Sequence, residues 1–497
     1  MPRVVLTADR TLMSEYNGEI FMGFAACAPN FLPGWLYRKI FCPPVRTEGG
    51  RALTGHCGQR KLEAALLESG LDPEDVVVAS PEELEEVMDQ DTEVLCITTH
   101  DPLGLGPAST TFTELVGRET YSSYYFRGLM GKKVLRKVNP TIIVGGSGAW
   151  QLADERLLMR MRVDTVVLGE GEITGVEMVH RALNGEELPR IVQGEVAPKE
   201  SIPLIKGPTI CGLVEICRGC GRGCDFCNPT MMNFRCLPVE SIIKEVKLNV
   251  GQGNGIVLHA EDVLRYRARG PIPDREAVTE LFSRVKEVTG NIRISHFAHS
   301  SAACSPELIE ELSGILELGS TLPFISGQVG IESGSPRMME EHMKGKTRPF
   351  SPQEWPEMVV QSHQLLRDNR WIPVNTLIAG FPGERPEDLE MTKELVQDLW
   401  DYRSMVVPLH FVPLGTLQET TFFRSKNAPP EYWMLLAACL RHNFHWMYDI
   451  MEEHRGFPWA KGWRAWAVPR VVKRLENRLR PYLEEMEEGR DPRRQTL

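Results

Sequence analysis

A chain of 497 residues with 42% hydrophobic and 25% charged side chains has globular composition and is too long for a single compact core. A net charge of -11 argues against a surface that neutralises nucleic-acid phosphates. No run approaches the roughly 18 apolar residues of a membrane span, and Met1–Thr7 opens without a basic region followed by an apolar stretch, so a cytoplasmic protein with no nucleic-acid or membrane partner is expected.

Residues 1–195 alternate short apolar runs with helical patterns, which predicts a parallel sheet with crossover helices. Strands are expected at Val4–Leu6, Val94–Thr98, Thr141–Val144 and Thr165–Leu168, with an acidic helix over Pro81–Met88 and another helix after Glu172. Turn-rich segments follow the last three strands, and ligands of open α/β sheets bind at such strand ends. Residues 196–208 contain three prolines and read as a linker. Over 209–425 six apolar strands are expected, at Gly212–Ile216, Gly255–His259, Ile292–His296, Gln328–Ile331, Val374–Ala379 and Val406–Val412. Helical patterns separate them, and six such units predict a (β/α)6 partial barrel. Residues 426–497 are helical in pattern and rich in aromatics, among them Tyr432, Trp433, Trp446, Trp459 and Trp466.

Twelve cysteines are too dilute for a disulfide scaffold, so their clustering carries the information: five lie between Cys211 and Cys227, and Cys236 follows. Directly after the first barrel strand the chain reads Cys217-Arg-Gly-Cys220-Gly-Arg-Gly-Cys224-Asp-Phe-Cys227. Thiolates are the ligands that iron–sulfur clusters need, and the intervening glycines let a loop wrap closely. Three ligands for four irons leave one iron open. A zinc site is the alternative, since Cys217/Cys220 and Cys224/Cys227 form two Cys-x-x-Cys pairs, but they stand only three residues apart where paired knuckles need about 15 to 20. Cys211, Cys217, Cys236 and Cys304 are either a second cluster site or packing residues.

Cys-x3-Cys-x2-Cys with an aromatic, Phe226, before the last cysteine resembles the hallmark of the radical S-adenosylmethionine (SAM) superfamily. The resemblance implies a [4Fe-4S] cluster on Cys220, Cys224 and Cys227, whose open iron chelates SAM, and reductive cleavage of SAM to a deoxyadenosyl radical. Gln328-Val-Gly-Ile-Glu332-Ser333-Gly-Ser335 is similar to the fourth-strand SAM segment, and Ala379-Gly380-Phe381-Pro-Gly-Glu384 to the fifth-strand loop beside adenine. By that likeness Phe226, Gln328, Glu332, Ser333, Gly380 and Phe381 are SAM contacts. Glu261, His299 and Arg235 are either further contacts or solvated polar residues.

The N-terminal region resembles the Rossmann-like cobalamin-binding domain that precedes the barrel in one radical SAM class. The resemblance rests on Gly145-Gly146-Ser147 and Gly169-Glu170-Gly171-Glu172 and extends to Thr99-His100-Asp101-Pro102-Leu103-Gly104; all of these, with Thr11, are implied cobalamin contacts. A generic nucleotide-binding sheet is the alternative. Relatives that ligate cobalt from below carry Asp-x-His-x-x-Gly, and Asp9-Arg10-Thr11-Leu12-Met13-Ser14 puts Thr11 in place of the histidine. His100 either approaches the lower face or is satisfied by its neighbour Asp101, and the second is the expectation. The apolar stretch Phe21–Phe41 either covers the corrin or is a core segment.

The class resemblance implies a methyltransferase that uses methylcobalamin to methylate an unactivated sp3 carbon, with an electron donor such as a ferredoxin. Within the class, Thr7-Ala8-Asp9 and the stretch from His100 to Pro107 look like archaeal-type enzymes that modify a protein. A peptidyl glutamine of the methyl-coenzyme M reductase α subunit is the implied substrate, and a role in methanogenesis through post-translational modification follows. A small-molecule or lipid substrate, cobalamin chemistry without methyl transfer, and a cobalamin carrier or sensor are the other readings; an open-iron triad has no use in a carrier.

Overall fold

The computed structural model describes residues 2–18, 20–453 and 463–495; Trp459 lies outside them. The chain divides into two compact units, Met1–Glu215 with Leu237–Val257, and Ile216–Cys236 with Leu258–Leu497.

The first unit is built on six parallel strands: β1 (Val4–Ala8), β2 (Val76–Val78), β3 (Val94–Thr98), β4 (Thr141–Gly145), β5 (Thr165–Leu168) and β6 (Ile191–Gln193). Their spatial order is β2-β1-β3-β4-β5-β6. Runs such as Val-Leu-Cys-Ile-Thr are apolar on both faces because both faces are covered. Alternate residues sort accordingly. Val5, Leu95, Ile97, Ile142 and Val144 pack with Phe126, Leu129, Leu135 and Leu158 on one face, while Val4, Leu6, Cys96 and Ile143 pack with Leu66, Met178 and Val179 on the other. β1 is flanked by both β2 and β3, so strand order reverses between β1 and β3, and their carboxyl ends border the crevice where doubly wound sheets take ligands.

Two strands escape the pattern reading. β2 has only three residues, and β6 is an edge strand of three residues, too short to show a period. The acidic segment Pro81–Met88 is helical only over Leu84–Val87. Ser80 ends its first turn early by accepting from the Glu82 backbone N–H (3.4 Å) and donating to its carboxylate (3.0 Å). The proline-rich stretch 196–208 is packed within this unit: Ala197, Ile202 and Ile205 are buried, and the Lys61 ammonium donates to Pro203 O at 2.9 Å while pairing with buried Glu245 at 2.5 Å.

The six barrel strands are β7 (Leu213–Glu215), β8 (Ile256–His259), β9 (Ile292–Ile294), β10 (Ile325–Glu332), β11 (Trp371–Ala379) and β12 (Met405–His410), ordered β9-β8-β7 and β10-β11-β12. A parallel bridge between His296 and Gln328 links the two sheets. The register of β10 slips between Gly330 and Glu332, and Glu332 takes a left-handed φ of 65°. Two long helices, Pro430–Glu453 and Trp463–Glu487, form the C-terminal region.

Candidate active site

The cysteine loop is closed at its base. Cys217 pairs with Cys236 and Arg218 with Arg235 as a short antiparallel ladder, and Cys217 and Cys236 are joined by a disulfide. Between this base and the triad the backbone turns through Gly219, Gly221 and Gly223, at φ 73°, 65° and 71°. Such angles favour glycine, and at Gly219 a Cβ would stand 2.6 Å from Asn233 O. Cys224 is buried and Cys220 and Cys227 are half-buried. The thiols of Cys224 and Cys227 are hydrogen-bonded to each other. That bond holds Cys224 below its ordinary value, while it and burial push Cys227 far up; burial raises Cys220, with Cys224 close enough to add to it. The three thiols are near enough to perturb one another, with Cys220 and Cys227 partly open to solvent, and they are the ligand type that a three-cysteine cluster needs. Cys211 lies instead against Glu15 O at 3.3 Å and Cys304 against Ser301 O at 3.5 Å. Among the described residues no three His, Cys, Asp or Glu side chains, the triad included, are gathered closely enough to hold a metal ion as they stand. Bonding to Cys236 also takes Cys217 out of a zinc-type pair with Cys220.

Arg222, between Cys220 and Cys224, fastens the loop to the barrel wall. One of its guanidinium nitrogens donates to Asp262 (2.7 Å) and Ser301 (2.9 Å), and another to Ser300 (3.0 Å) and Lys346 O (3.1 Å). Both charged partners are buried, at 7% and 2% side-chain exposure, and Asp262 also accepts from Ser301 at 2.6 Å. On the far side the Asp225 N–H donates to His342 O (3.1 Å), and the Thr416 N–H donates to Asp225 O (2.9 Å).

Glu332 stands at the carboxyl end of β10 with the Lys346 ammonium at 3.0 Å and the Thr376 hydroxyl at 3.2 Å. Burial works to lower the Lys346 ammonium, but Glu332 and the Cys224 thiolate carry it above its ordinary value. The pair therefore joins the fourth-strand acid electrostatically to the cysteine triad. Gly330 makes room for it, since a Cβ there would overlap the Glu332 carboxylate. Phe226 meets Phe381 edge to face at 5.3 Å, and His342 stacks on Phe381 at 5.4 Å and 12°. Gly380, at φ 92°, donates its N–H to Glu384 at 2.6 Å, and burial lifts the Glu384 carboxyl to about 8.

The remaining residues separate. Gln328 reaches the His296 ring, and burial holds His296 below its ordinary value with Glu261 and His259 nearby. Ser333 is buried against Thr392 (3.2 Å) and its hydroxyl accepts from the Ser335 N–H at 3.1 Å, so it shapes the loop. His299 is fully buried, bonded to Ser362 and Asn375 at 2.9 Å each, and belongs to the packing of the wall. Arg222, Asp262, His342 and Lys346 were missed by pattern. The signal for Arg222 was its place as the one charged residue between Cys220 and Cys224.

At the carboxyl edge of the first unit's sheet, the loops after β1, β3, β4 and β5 carry Thr11, residues 99–104, Gly145–Ser147 and Gly169–Glu172. Thr11 is buried and gives its hydroxyl to Asp9 at 2.5 Å. Thr99 donates to Gly145 O at 2.8 Å. The expected His100–Asp101 pairing is not formed: the Asp101 carboxylate is taken up by Gly106 N–H (2.9 Å), Gln151 (2.7 Å) and the Ser109 hydroxyl. Exposed His100 instead shares a hydrogen bond at 2.8 Å with Ser147 through Nδ1. Leu103 N–H is fixed by Gln151 at 2.9 Å, and Gly104 turns at φ 70°. A Cβ on Gly146 would overlap Thr99 O, whereas one on Gly171 would meet nothing within 4 Å. Glu170 is buried and accepts from Ala197 N–H at 3.1 Å. The edge thus pairs tightly packed glycine loops with open backbone and one exposed imidazole.

Residues 214–396 match the model of the radical SAM superfamily, and the chain therefore carries a radical SAM domain. Curated relatives include the tRNA-2-methylthio-N(6)-dimethylallyladenosine synthases of Moorella thermoacetica (27% identical, covering 53% of this chain and 58% of that protein) and Chromohalobacter salexigens (26%, covering 61% and 68%). The ribosomal protein uS12 methylthiotransferase RimO of Thermotoga maritima is 28% identical, over 37% of this chain and 41% of its own. The chain thus spans little more than half the length of the first of these relatives. Among solved structures, the fold is similar to the radical SAM methyltransferase TsrM from Kitasatospora setae, bound to tryptophan and a SAM analogue, with TM-score 0.54 and 13% identity over 83% of this chain and 75% of that one. No helix among the described residues is long and apolar enough to cross a membrane.

Proposed function

We propose that the chain is a cobalamin-dependent radical SAM methyltransferase acting on an unactivated carbon. The observation that carries this reading is the proximity of Cys220, Cys224 and Cys227 beside the Glu332–Lys346 pair at the strand ends, in a chain that also holds a doubly wound sheet with an open carboxyl edge. The cysteines would hold a [4Fe-4S] cluster, which supplies the electron that cleaves SAM. Glu332 and Lys346 offer one acceptor and one donor to the polar groups of SAM, and Phe226 and Phe381 offer ring faces and edges for its adenine. The β1/β3 crevice, with Thr99–Gly104, Gly145–Ser147 and Gly169–Glu172, would hold cobalamin, which supplies a transferable methyl group. Thr11, spent on Asp9, offers no nitrogen to its metal.

The substrate we favour is a peptidyl glutamine of methyl-coenzyme M reductase, with a ferredoxin-type donor, in the cytoplasm. The similarity to methylthiotransferases supports a second reading, transfer of a methylthio group. Both are tested by anaerobic reconstitution with iron, sulfide and cobalamin and with SAM labelled by deuterium in its methyl group. The first reading expects 5′-deoxyadenosine and labelled cobalamin. Absence of 5′-deoxyadenosine from protein with a full cluster refutes the radical reading, and an unlabelled corrin refutes the methyl-carrier step. Mass spectrometry of the reductase α subunit from cells lacking this chain decides the substrate: one glutamine should be lighter by a methylene.

A further inference from the structure

At the amino-terminal edge of the first unit's sheet, opposite the crevice, Arg127, Arg136, Arg160, Arg162 and Arg190 line one concavity of about 530 Å3. It falls within the roughly 300–1,000 Å3 that small ligands occupy. Asp164 is the one carboxylate among its lining residues, and its Oδ2 already accepts from the Ile142 N–H at 2.8 Å. This sign is the reverse of the whole chain's -11.

Helix carboxyl termini attract cations, and Arg127, Arg136 and Arg160 lie in the last turns of the helices Tyr121–Met130, Lys133–Val138 and Glu155–Met161. That accounts for the sign of the cluster but not for its unused capacity. Arg127 is paired with Glu119, Arg162 donates to Asn139 at 2.6 Å and Arg190 to Val163 O at 3.1 Å. Arg136 and Arg160 make no hydrogen bond or ion pair among the described residues. Met130, Leu135, Pro140, Met159 and Met161 give the concavity an apolar side, and Met159 is 58% exposed. Guanidinium forks match phosphate oxygens, and thioethers pack well against flat rings.

We propose that this concavity is a binding site for a small organic phosphate, nucleotide-like in having a polyanionic end and a flat apolar end. Arg136 and Arg160 take the phosphates, and the methionines take the ring. The site shares no residue with those assigned to the cluster, SAM and cobalamin, and stands whether or not those assignments do.

The test uses the full chain, with inorganic pyrophosphate, ADP and adenosine as probes in titration calorimetry at low salt. Pyrophosphate and ADP should bind and adenosine should not, with ADP the tighter. Arg136→Ala with Arg160→Ala should weaken both phosphates by roughly tenfold or more. SAM and cobalamin binding should be unchanged in that variant, which shows that the fold persists. No binding of either phosphate at millimolar concentration, or binding that the double variant leaves within twofold, overturns the proposal. Equal pyrophosphate and ADP affinities overturn the apolar half of it.

Discussion

Arg222→Met removes one of two cations that fasten the triad loop to the barrel wall, the other being Arg265, which donates to Cys220 O at 2.8 Å. Asp262, the partner of Arg222, would then be a carboxylate at 2% exposure, retaining the Ser301 hydroxyl but with Oδ1 already lacking a hydrogen bond among the described residues. Removing one partner of a buried ion pair costs about 3–5 kcal/mol, because the other charge stays desolvated. The barrel core is packed independently of this contact, so the cost falls on the loop, as roughly two to three and a half decades in the equilibrium between seated and released states. After anaerobic reconstitution the variant should hold less iron and sulfide per chain and lose the remainder to a chelator far faster than wild type. Arg222→Lys should fall between, since an ammonium cannot serve Asp262, Ser300 and Ser301 as one planar fork does. Asp262→Asn added to Arg222→Met should restore part of the iron by removing the stranded charge. Wild-type iron content and wild-type release rate in Arg222→Met would refute the account.

Cys224→Ala should leave a folded chain that binds cobalamin but has no reducible cluster and makes no 5′-deoxyadenosine; full iron with undiminished product would sink the triad. Glu332→Gln, and Gly330→Ala, which displaces the same carboxylate, should weaken SAM binding by about tenfold with the cluster intact, and an unchanged dissociation constant would move the contact elsewhere. Burial lifts the Asp9 carboxyl from 3.8 to about 6, so the fold prefers it protonated. Its penalty is absent below about pH 4, grows as pH rises to about 6 and is constant above, at most about 2–3 kcal/mol. Asp9→Asn should therefore melt higher than wild type at pH 7 and equal to it at pH 4 in a thermal scan; a pH-independent difference would contradict this. Cob(II)alamin bound to the chain should show cobalt hyperfine lines without nitrogen splitting in electron paramagnetic resonance, and a threefold splitting lost in His100→Ala would make His100 the ligand.

What could be read from sequence was local in sequence. The two-sided apolar runs of β1, β3, β4 and β5, the triad spacing and the acid at the end of β10 are each specified within a few residues. The reading failed where a side chain's partner is distant. Arg222 meets Asp262 and Lys346, His342 comes to Phe381 and Asp225, and His100 turns to Ser147 rather than to the adjacent aspartate, whose lone pairs Ser109, Gln151 and the Gly106 N–H had taken. A short strand such as Val76–Val78 likewise has too few residues to show a period, and its neighbours β1 and α-helical cover supply what propensity does not. The stretch 196–208 reads as a linker because prolines suppress regular structure, yet its Pro203 carbonyl is taken by Lys61 and its Ile205 N–H by Glu245.

The walls of the triad loop come from far down the chain: His342 lies 117 residues beyond Asp225, and Thr416 lies 191 beyond it. At roughly 5–20 residues per second of synthesis, the three cysteines leave the ribosome some 10–40 s before the last of these partners exists. During that interval they are bare thiols on an unfinished polypeptide, exposed to stray metals and oxidants. Loading of the proposed cluster would therefore come late in the life of the molecule, and a chain ending before Thr416 would have all three cysteines without the contact that Thr416 makes to Asp225.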